Sequence, residues 1–202
     1  MEPGGFGELL GNDVSKLAAA IKPCQAVLAA ARAAGMLVIH TREGHRPSMT
    51  DVHAYKRDKK GAVAQVIGTP GPFGLILIRG EPGHDTIQAV YPVQGEPVVD
   101  KPGKGSFYAT DLEAMLSAQG IETLFVCGVT TEVCVHTTVR EGNDRGFHCV
   151  VISDACASFF DDLHEAALKM ISAQGGIFGS LTDSGKFAAA LRSAGDETKE
   201  EA

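Results

Sequence analysis

Apolar positions along the chain follow two periods, and the alternation between them predicts the fold. Short runs of continuous apolar residues are typical of buried strands. They occupy residues 36–41, 75–78, 97–101, 123–129, 148–154 and 177–180. Apolar residues that recur every three or four positions predict amphipathic helices. These occupy residues 14–34, 110–119, 131–145, 161–174 and 184–193. The alternation indicates an α/β fold, a three-layer, doubly wound, mostly parallel sheet with helices on both faces.

Single residues predict where the first helix begins, bends and ends. Asp13 is placed to begin the first helix, Pro23 must bend or restart that helix, and Gly35 ends it. Residues 42–72 are polar and rich in Gly, Pro and Lys, which predicts a long loop with little regular structure. Loops of that length inside a domain are usually functional or disordered.

Composition narrows the class of protein. The chain has 202 residues, 44% of them hydrophobic, and a formal net charge of −7. We expect a single domain over residues 1–193 and a solvated tail over 194–202. The acidic balance disfavours a nucleic-acid or anionic-membrane partner. No apolar run approaches the ~20 residues that span a bilayer, and the N-terminus does not resemble a secretory signal. We therefore expect a cytoplasmic protein whose five cysteines are reduced thiols.

Cys134 is the candidate nucleophile. The apolar strand 123–129 is followed by a helix that begins near Thr131, so Cys134 falls in the first turn of that helix. The unsatisfied N–H groups and the positive dipole end of a helix favour a thiolate there, and they can also hold a developing oxyanion. The alternative is that Cys134 is a small apolar residue packed against the sheet.

Lys101 is the candidate partner of this cysteine. It ends an apolar strand, which places it at the active-site edge of a parallel sheet, where its charge would stabilise a thiolate. The alternative is a solvated lysine at a strand end. His136 lies two residues after Cys134, about 200° around the helix, and is rejected as a catalytic base.

The sequence gives no support for a metal or any other cofactor. The remaining cysteines have no C-x-x-C spacing and no paired histidines, so a zinc site is not expected. These cysteines, most of which fit core positions, are Cys24, Cys127, Cys149 and Cys156. Lys104 lies in a glycine-flanked turn, but the spacing is not that of a phosphate-binding P-loop.

Two segments of the chain resemble the isochorismatase-like cysteine hydrolases. The first, over residues 127–158, reads CGVTTEVCVHTTVREGNDRGFHCVVISDACAS, and the second, over 98–116, reads VVDKPGKGSFYATDLEAML. Within the amidase branch, the chain is most similar to biuret amidohydrolases, with ureidoacrylate-type and N-carbamoylsarcosine-type amidases as close relatives. The segments that carry this similarity include MEPGGFGELLGNDVSKL, HTREGHRP, RGEPGHD, DKPGKGSFYATDL and MISAQGG. The resemblance covers residues 1–193.

The resemblance implies a set of catalytic roles. It makes Cys134 the nucleophile and Lys101 the lysine of a catalytic triad. The backbone N–H groups of Thr130 and Cys134 would form the oxyanion hole, beside a non-proline cis peptide between Val129 and Thr130. The implied reaction cleaves a C–N bond of a small ureido or amide substrate, releasing ammonia and passing through a thioester acyl-enzyme.

The resemblance also implies substrate contacts and an assembly. Lys104 and Gln174 would contact carbonyl or carboxylate oxygens of the substrate. The alternatives are a solvated loop residue for Lys104 and a polar residue at a helix end for Gln174. Members of the family are often homo-oligomers, so we expect one here, with a tetramer as the first candidate.

The third member of the family's triad has no counterpart in the sequence. In the family, an aspartate lies on a first strand just before the segment that matches Glu2–Phe6, whereas here Met1 directly precedes that segment. Asp13 belongs to the next helix, and Asp100 points away from Lys101 because neighbouring residues of a strand face opposite ways. His40 is a weak surrogate base. We expect either that the sequence is truncated, which we favour, or that the protein has lost this central strand and some or all of its activity.

Three functions remain open at this point. The first is a cysteine-dependent amidohydrolase that acts on a biuret-like or other ureido compound. The second is a non-catalytic or impaired homologue that binds a small molecule. The third is another hydrolase of the same superfamily, such as an isochorismatase or a nicotinamidase. The absence of a D-x-H metal-type pattern weighs against the nicotinamidase.

Overall fold

The computed structural model describes residues 3–58 and 67–200 of the chain. Its helices are α1 (Phe6–Leu9), α2 (Ser15–Ala18), α3 (Ile21–Ala33), α4 (Ala54–Asp58), α5 (Leu112–Ala118), α6 (His136–Asp144), α7 (Asp161–Gly176) and α8 (Ser184–Glu200). Its strands are β1 (His40–Glu43), β2 (Pro70–Gly71), β3 (Gly74–Leu75), β4 (Val98–Lys101), β5 (Thr123–Val129), β6 (His148–Ala157) and β7 (Ser180–Thr182). Single turns of 3₁₀-helix cover Pro82–His84 and Gln88–Val90, and a π-turn over Thr131–Val135 leads into α6.

The larger sheets are parallel, which confirms the predicted α/β class. Strands β5, β6 and β7 form one sheet in that order, and β1 pairs with β4 in another. The short strands β2 and β3 form an antiparallel hairpin. In the part of the chain that the structure describes, no strand joins the two parallel sheets.

Apolar side chains pack on both faces of the parallel strands, as a doubly wound fold requires. On one face, Val151 of β6 lies in a cluster with residues of α5, α6 and α7. On the other face, Ile152 of β6 packs with residues of α3 and α8. Neighbouring residues of β6 therefore bury themselves in different layers, which follows from the period of two along a strand.

Three segments differ from the sequence-based expectation. The strand predicted over residues 36–41 lies instead at His40–Glu43, where the chain pairs with β4. The apolar run 75–78 belongs to neither parallel sheet and contributes only its first residue to the small hairpin. The predicted loop 42–72 contains α4 and β2, and its residues 59–66 lie outside the described part of the chain.

The helix ends also refine the prediction. The first predicted helix is broken between α2 and α3, just before Pro23, and Gly35 follows α3 with a φ of +65°. Asp13 accepts hydrogen bonds from the backbone N–H and the hydroxyl of Ser15, which fits its predicted place before a helix. The last helix continues to Glu200 instead of ending near residue 193, so the segment predicted as a tail continues α8.

Parallel pairing brings three chain segments to one edge of the fold. In the register between β1 and β4, Glu43 lies opposite Lys101 at the end of both strands. Strand β5 ends at Val129 and leads directly into the π-turn that contains Cys134. The carboxyl ends of strands are where open α/β sheets build their sites.

Candidate active site

Cys134 lies on the turn that connects β5 to α6. The peptide between Val129 and Thr130 is cis, which confirms the geometry implied by the family resemblance. Beneath the turn, the buried hydroxyl of Thr131 lies 2.8 Å from Nδ1 of His164 on α7, and this contact ties the turn to the helix below it. Cys134 itself is half-buried and carries a free thiol.

Lys101 reaches the thiol from the end of β4. Its side chain is only 3% exposed. The ammonium donates hydrogen bonds to the carbonyl oxygens of Gly103 at 3.0 Å and Lys104 at 2.7 Å, and it lies 3.4 Å from Sγ of Cys134. An ammonium has three N–H donors, so these contacts account for all of them. The two residues selected from the sequence are therefore in direct contact.

Glu43 is a third residue in contact with Cys134 and Lys101, and it was not among the residues predicted from the sequence. Its Oε1 accepts a hydrogen bond of 2.6 Å from Nζ of Lys104. Its Oε2 lies 3.7 Å from Sγ of Cys134 and 3.8 Å from Nζ of Lys101. The carboxylate is only 14% exposed. The site thus contains a thiol, a buried cation and a carboxylate within contact of one another.

The position of Glu43 depends on a strand boundary. The predicted strand ends at residue 41 and residues 42–72 are predicted as a loop, so the prediction places Glu43 outside the strand. The structure extends β1 to Glu43, which faces the same side as Thr41 and pairs with Lys101. The signal that identifies Glu43 is therefore register, because the last residues of two neighbouring parallel strands must lie side by side.

The electrostatic balance at the thiol differs from the expectation for a helix N-terminus. Burial raises the pKa of the Cys134 thiol above its ordinary value. The positive charge of Lys101 opposes that rise, whereas the negative charge of Glu43 adds to it. The resting thiol is therefore less acidic than a free cysteine, and attack on a carbonyl requires a group that takes its proton.

A third lysine lies close to this group. Lys56 of α4 donates a hydrogen bond of 2.8 Å to the carbonyl of Pro102, in the loop that follows β4. Burial lowers the pKa of Lys56, the carboxylate of Glu43 opposes that decrease, and the charges of Lys104 and Lys101 add to it. The site is thus rich in lysines arranged around one carboxylate.

The residues predicted to contact substrate lie in different places. Lys104 is 38% exposed and lies beside Glu43, within the site. Gln174 is exposed and lies near the end of α7, next to glycines that line a cleft of about 230 Å³ with His148, at the amino end of β6. His164 of the same helix contacts the turn before Cys134, and the eight further residues of regular helix, up to Ser172, span about 12 Å. Within one chain, Gln174 therefore lies at the opposite edge of the sheet from the thiol.

The surrogate base proposed from sequence does not reach the site either. His40 begins β1 rather than ending it, and its Nε2 lies 2.8 Å from Oε2 of Glu96. Three residues of strand separate it from Glu43, a distance of about 10 Å. The prediction that His40 lies at the site edge was wrong, because the strand is shifted along the sequence.

The other residues considered from the sequence are buried or make their contacts away from the thiol. His136 packs edge-on against Phe178, on the side of α6 away from the thiol. Burial raises the pKa of Cys149 to about 11, which fits the core role predicted for it. Cys156, which the sequence placed in a loop near the site, is buried in β6, and burial raises its pKa to about 12. Asp100 forms an ion pair with Arg42 rather than with Lys101, as strand alternation predicts.

Over residues 3–58 and 67–200, no group of three or more His, Cys, Asp and Glu side chains is arranged to hold a metal ion. Over the same ranges, no helix has both the length and the apolar character needed to cross a membrane.

Comparison with known proteins gives consistent matches. The model of the isochorismatase domain matches residues 5–183. A ureidoacrylate amidohydrolase from Methylorubrum extorquens is 34% identical over 194 residues, which cover 94% of this chain and 77% of that protein. The crystal structure of a cysteine hydrolase from Pseudomonas syringae pv. phaseolicola is 30% identical, with a TM-score of 0.76, and the match covers 89% of this chain and 83% of that one. N-carbamoylsarcosine amidase from Thermoplasma acidophilum shares the fold, at 20% identity and a TM-score of 0.66 over 85% of this chain and 86% of that one.

Proposed function

The chain belongs to the isochorismatase family of hydrolases, and we propose that it is a cysteine-dependent amidohydrolase. In this proposal it cleaves a C–N bond of a small, linear ureido or amide substrate and releases ammonia. The observation that carries the proposal is the contact of 3.4 Å between Nζ of buried Lys101 and Sγ of Cys134. A thiol held against a buried cation at the carboxyl edge of the sheet is suited to nucleophilic catalysis.

The proposed reaction has two stages. Sγ of Cys134 attacks the substrate carbonyl, and the N–H groups of Thr130 and Cys134 bind the oxyanion that develops. Collapse of the tetrahedral intermediate breaks the C–N bond, so that ammonia leaves and a thioester remains on Cys134. Water then hydrolyses the thioester and restores the thiol. Throughout, the charge of Lys101 stabilises the sulfur as it gains negative charge.

A ureido substrate, biuret-like or carrying a carboxylate, fits the site best. A relative that is 34% identical is named for its action on ureidoacrylate. Lys104 is partly exposed and directs its ammonium to the group formed by Glu43 and Cys134, so it can also donate hydrogen bonds to a substrate oxygen. We therefore propose that Lys104 binds a substrate oxygen, in addition to the oxyanion hole formed by Thr130 and Cys134. A contact from Gln174 would require a second copy of the chain.

The test is ammonia release from a panel of ureido and amide compounds that includes biuret and ureidoacrylate. We expect turnover of at least one ureido compound and a loss of roughly 10⁴-fold or more in Cys134→Ala, because the nucleophile is removed. Cys24→Ala is the matched control, since Cys24 is also half-buried but donates its thiol to the carbonyl of Ala155. Mass spectrometry of the quenched wild-type reaction should detect the acyl group on Cys134.

Other outcomes would replace this proposal. Compounds that raise the melting temperature without releasing ammonia would indicate a binding protein. Turnover of isochorismate alone would indicate a different hydrolase of the same family. Full activity in Cys134→Ala would exclude the cysteine mechanism. The expected homo-oligomer and the cytoplasmic location remain predictions, and light scattering of the purified chain tests the first of them.

A further inference from the structure

We propose that Glu43 is the proton-transfer residue of this site: it takes the proton of the Cys134 thiol, gives it to the leaving nitrogen, and then activates the water that attacks the thioester. This inference rests on the proposed amidohydrolase function. It assigns the proton transfers of that reaction to one side chain that contacts the nucleophile.

The two oxygens of the Glu43 carboxylate have different surroundings. Oε1 is held at 2.6 Å by the ammonium of Lys104. Oε2 is the acceptor that faces the thiol, at 3.7 Å from Sγ of Cys134. One oxygen therefore anchors the group while the other remains available for a proton. In the described part of the chain, no other carboxylate oxygen lies within hydrogen-bond distance of this thiol.

The backbone holds this carboxylate at a fixed place. Glu43 is the last residue of β1, paired in register with Lys101, and the N–H of the following Gly44 donates to the carbonyl of Lys101 at 3.0 Å. A base carried on a paired strand is positioned more accurately than one on a free loop. The side chain is also mostly shielded from water, which strengthens its interaction with charges nearby.

Lys101 does not compete for the proton. All three of its N–H donors are used, two on backbone carbonyls and one toward Cys134, so the contacts require the protonated ammonium. Lys101 therefore acts as a fixed cation that lowers the energy of the thiolate, and it has no lone pair to offer.

The ionisable groups near the Glu43 carboxylate are mostly cations. They come from α4, from the loop after β1, from β4 and the loop after it, and from the turn before α6. They are Lys56, His45, Lys101, Lys104 and Cys134. Three of these are lysines, so positive charge surrounds the carboxylate on several sides.

The proposed proton path is balanced. The thiol proton moves to Oε2 as the C–S bond forms and the carbonyl electrons move to oxygen. The same proton then passes from the Glu43 carboxyl to the leaving nitrogen as the C–N bond breaks, and ammonia departs. Next, Oε2 takes a proton from water while the water oxygen attacks the thioester. Finally, that proton returns to sulfur as the C–S bond breaks and the acid product leaves.

The test compares Glu43→Gln with wild type, with Glu43→Asp as the conservative variant and Asp100→Asn as the control on the opposite face of the strands. We expect kcat to fall roughly 10²–10⁴-fold in Glu43→Gln, the range for loss of a general acid–base group, with a much smaller change in KM. Glu43→Asp keeps a carboxylate and should therefore retain more of kcat than Glu43→Gln. Asp100→Asn should keep kcat.

A second measurement needs no turnover. The rate of Cys134 alkylation by iodoacetamide is followed against pH, with each variant first checked for a cooperative melting transition. Because Glu43 disfavours the thiolate, its removal should move the alkylation midpoint to lower pH and make the thiol more reactive near neutrality. A variant whose thiol reacts faster but whose kcat is lower has lost proton transfer rather than structure.

The outcomes separate this inference from the function on which it rests. If wild type releases ammonia and Glu43→Gln keeps its kcat, the role of Glu43 is overturned while the amidohydrolase assignment stands. If wild type releases no ammonia from any ureido compound, the assignment itself fails. An alkylation midpoint that is unchanged in Glu43→Gln would show that the carboxylate and the thiol do not interact, and would also overturn the inference.

Discussion

Two pairs of opposite charges occupy neighbouring positions on the same two strands, and they differ in how completely their hydrogen bonds are satisfied. In the register of β1 and β4, Arg42 lies opposite Asp100 and Glu43 lies opposite Lys101. The Arg42 guanidinium binds Asp100 through two nitrogens, at 2.8 and 3.2 Å, and also binds Asp85 at 2.7 Å. The Arg42–Asp100 pair is therefore bidentate, and both carboxylate oxygens of Asp100 accept a hydrogen bond from the guanidinium.

The other pair is incomplete. Nζ of Lys101 and Oε2 of Glu43 are 3.8 Å apart. The closer partner of the Lys101 ammonium is the carbonyl of Lys104, and the other carboxylate oxygen, Oε1, binds the Lys104 ammonium. Between Lys101 and Glu43 lies the Cys134 thiol, at 3.4 Å from the lysine and 3.7 Å from the glutamate. Charge alone therefore does not distinguish a structural ion pair from a pair that takes part in chemistry. The distinguishing feature is a carboxylate oxygen, Oε2 of Glu43, whose nearest partner is the nucleophile.

The largest effect that tests this comparison should follow removal of the buried cation. Lys101→Met deletes the charge beside the thiol, which raises the pKa of Cys134 further, since Lys101 now opposes that rise. We expect kcat to fall roughly 10²–10³-fold, as for loss of one preorganised electrostatic contact. Alkylation of Cys134 near neutral pH should also become slower, the opposite of the change expected for Glu43→Gln.

Lys101→Arg is the companion variant for this prediction. It keeps the charge but replaces a compact ammonium with a planar fork that does not reproduce the bonds to Gly103 and Lys104. We expect it to retain more of the alkylation rate than Lys101→Met. If Lys101→Met alkylates as fast as wild type while remaining folded, the lysine does not stabilise the thiolate.

A residue of this site could be predicted from the sequence where its position depends only on residues near it in the chain. Lys101 was identifiable because it ends an apolar strand, and Cys134 because it follows another such strand at the start of the next helix; both signals are local. Glu43 was missed because its position depends on pairing with a strand about 58 residues further along, which no local pattern shows. The same pairing decides that His40 begins the strand and does not end it.

The placement of Gln174 shows a different limit. A helix that follows a parallel strand runs back toward the amino edge of the sheet, so the end of α7 belongs far from the thiol. The family resemblance implies a substrate contact for Gln174, which this geometry does not give within one chain. The kink there was not predictable, because Gln174 has a φ of +53°, a conformation that residues other than glycine rarely adopt.

The satisfied pair should show its contribution in stability rather than in turnover. Arg42→Met removes hydrogen bonds to two carboxylates, and we expect the free energy of unfolding to fall by about 1–2 kcal/mol, because the groups remain partly exposed. The kcat should stay within about twofold of wild type. Urea unfolding and steady-state kinetics on the same preparation measure both quantities.

A double-mutant cycle with Asp100→Asn isolates the pair itself. The two changes should be less than additive, since either one removes the same hydrogen bonds. A large loss of kcat in Arg42→Met with unchanged stability would reverse the comparison, because it would place the chemistry on the face that we describe as structural.

The smallest effects concern the residues proposed to contact substrate, where the structure separates two candidates that the sequence treated alike. Lys104→Met removes a half-exposed ammonium that holds Oε1 of Glu43, so we expect KM to rise up to roughly tenfold and kcat to fall only a few-fold. Gln174→Ala changes an exposed residue at the other edge of the sheet, so KM should stay within about twofold. Initial rates over a range of substrate concentrations, measured alongside light scattering, separate the cases. If KM rises in Gln174→Ala, the glutamine must reach a thiol other than the one in its own chain, and the site would then be completed between two copies.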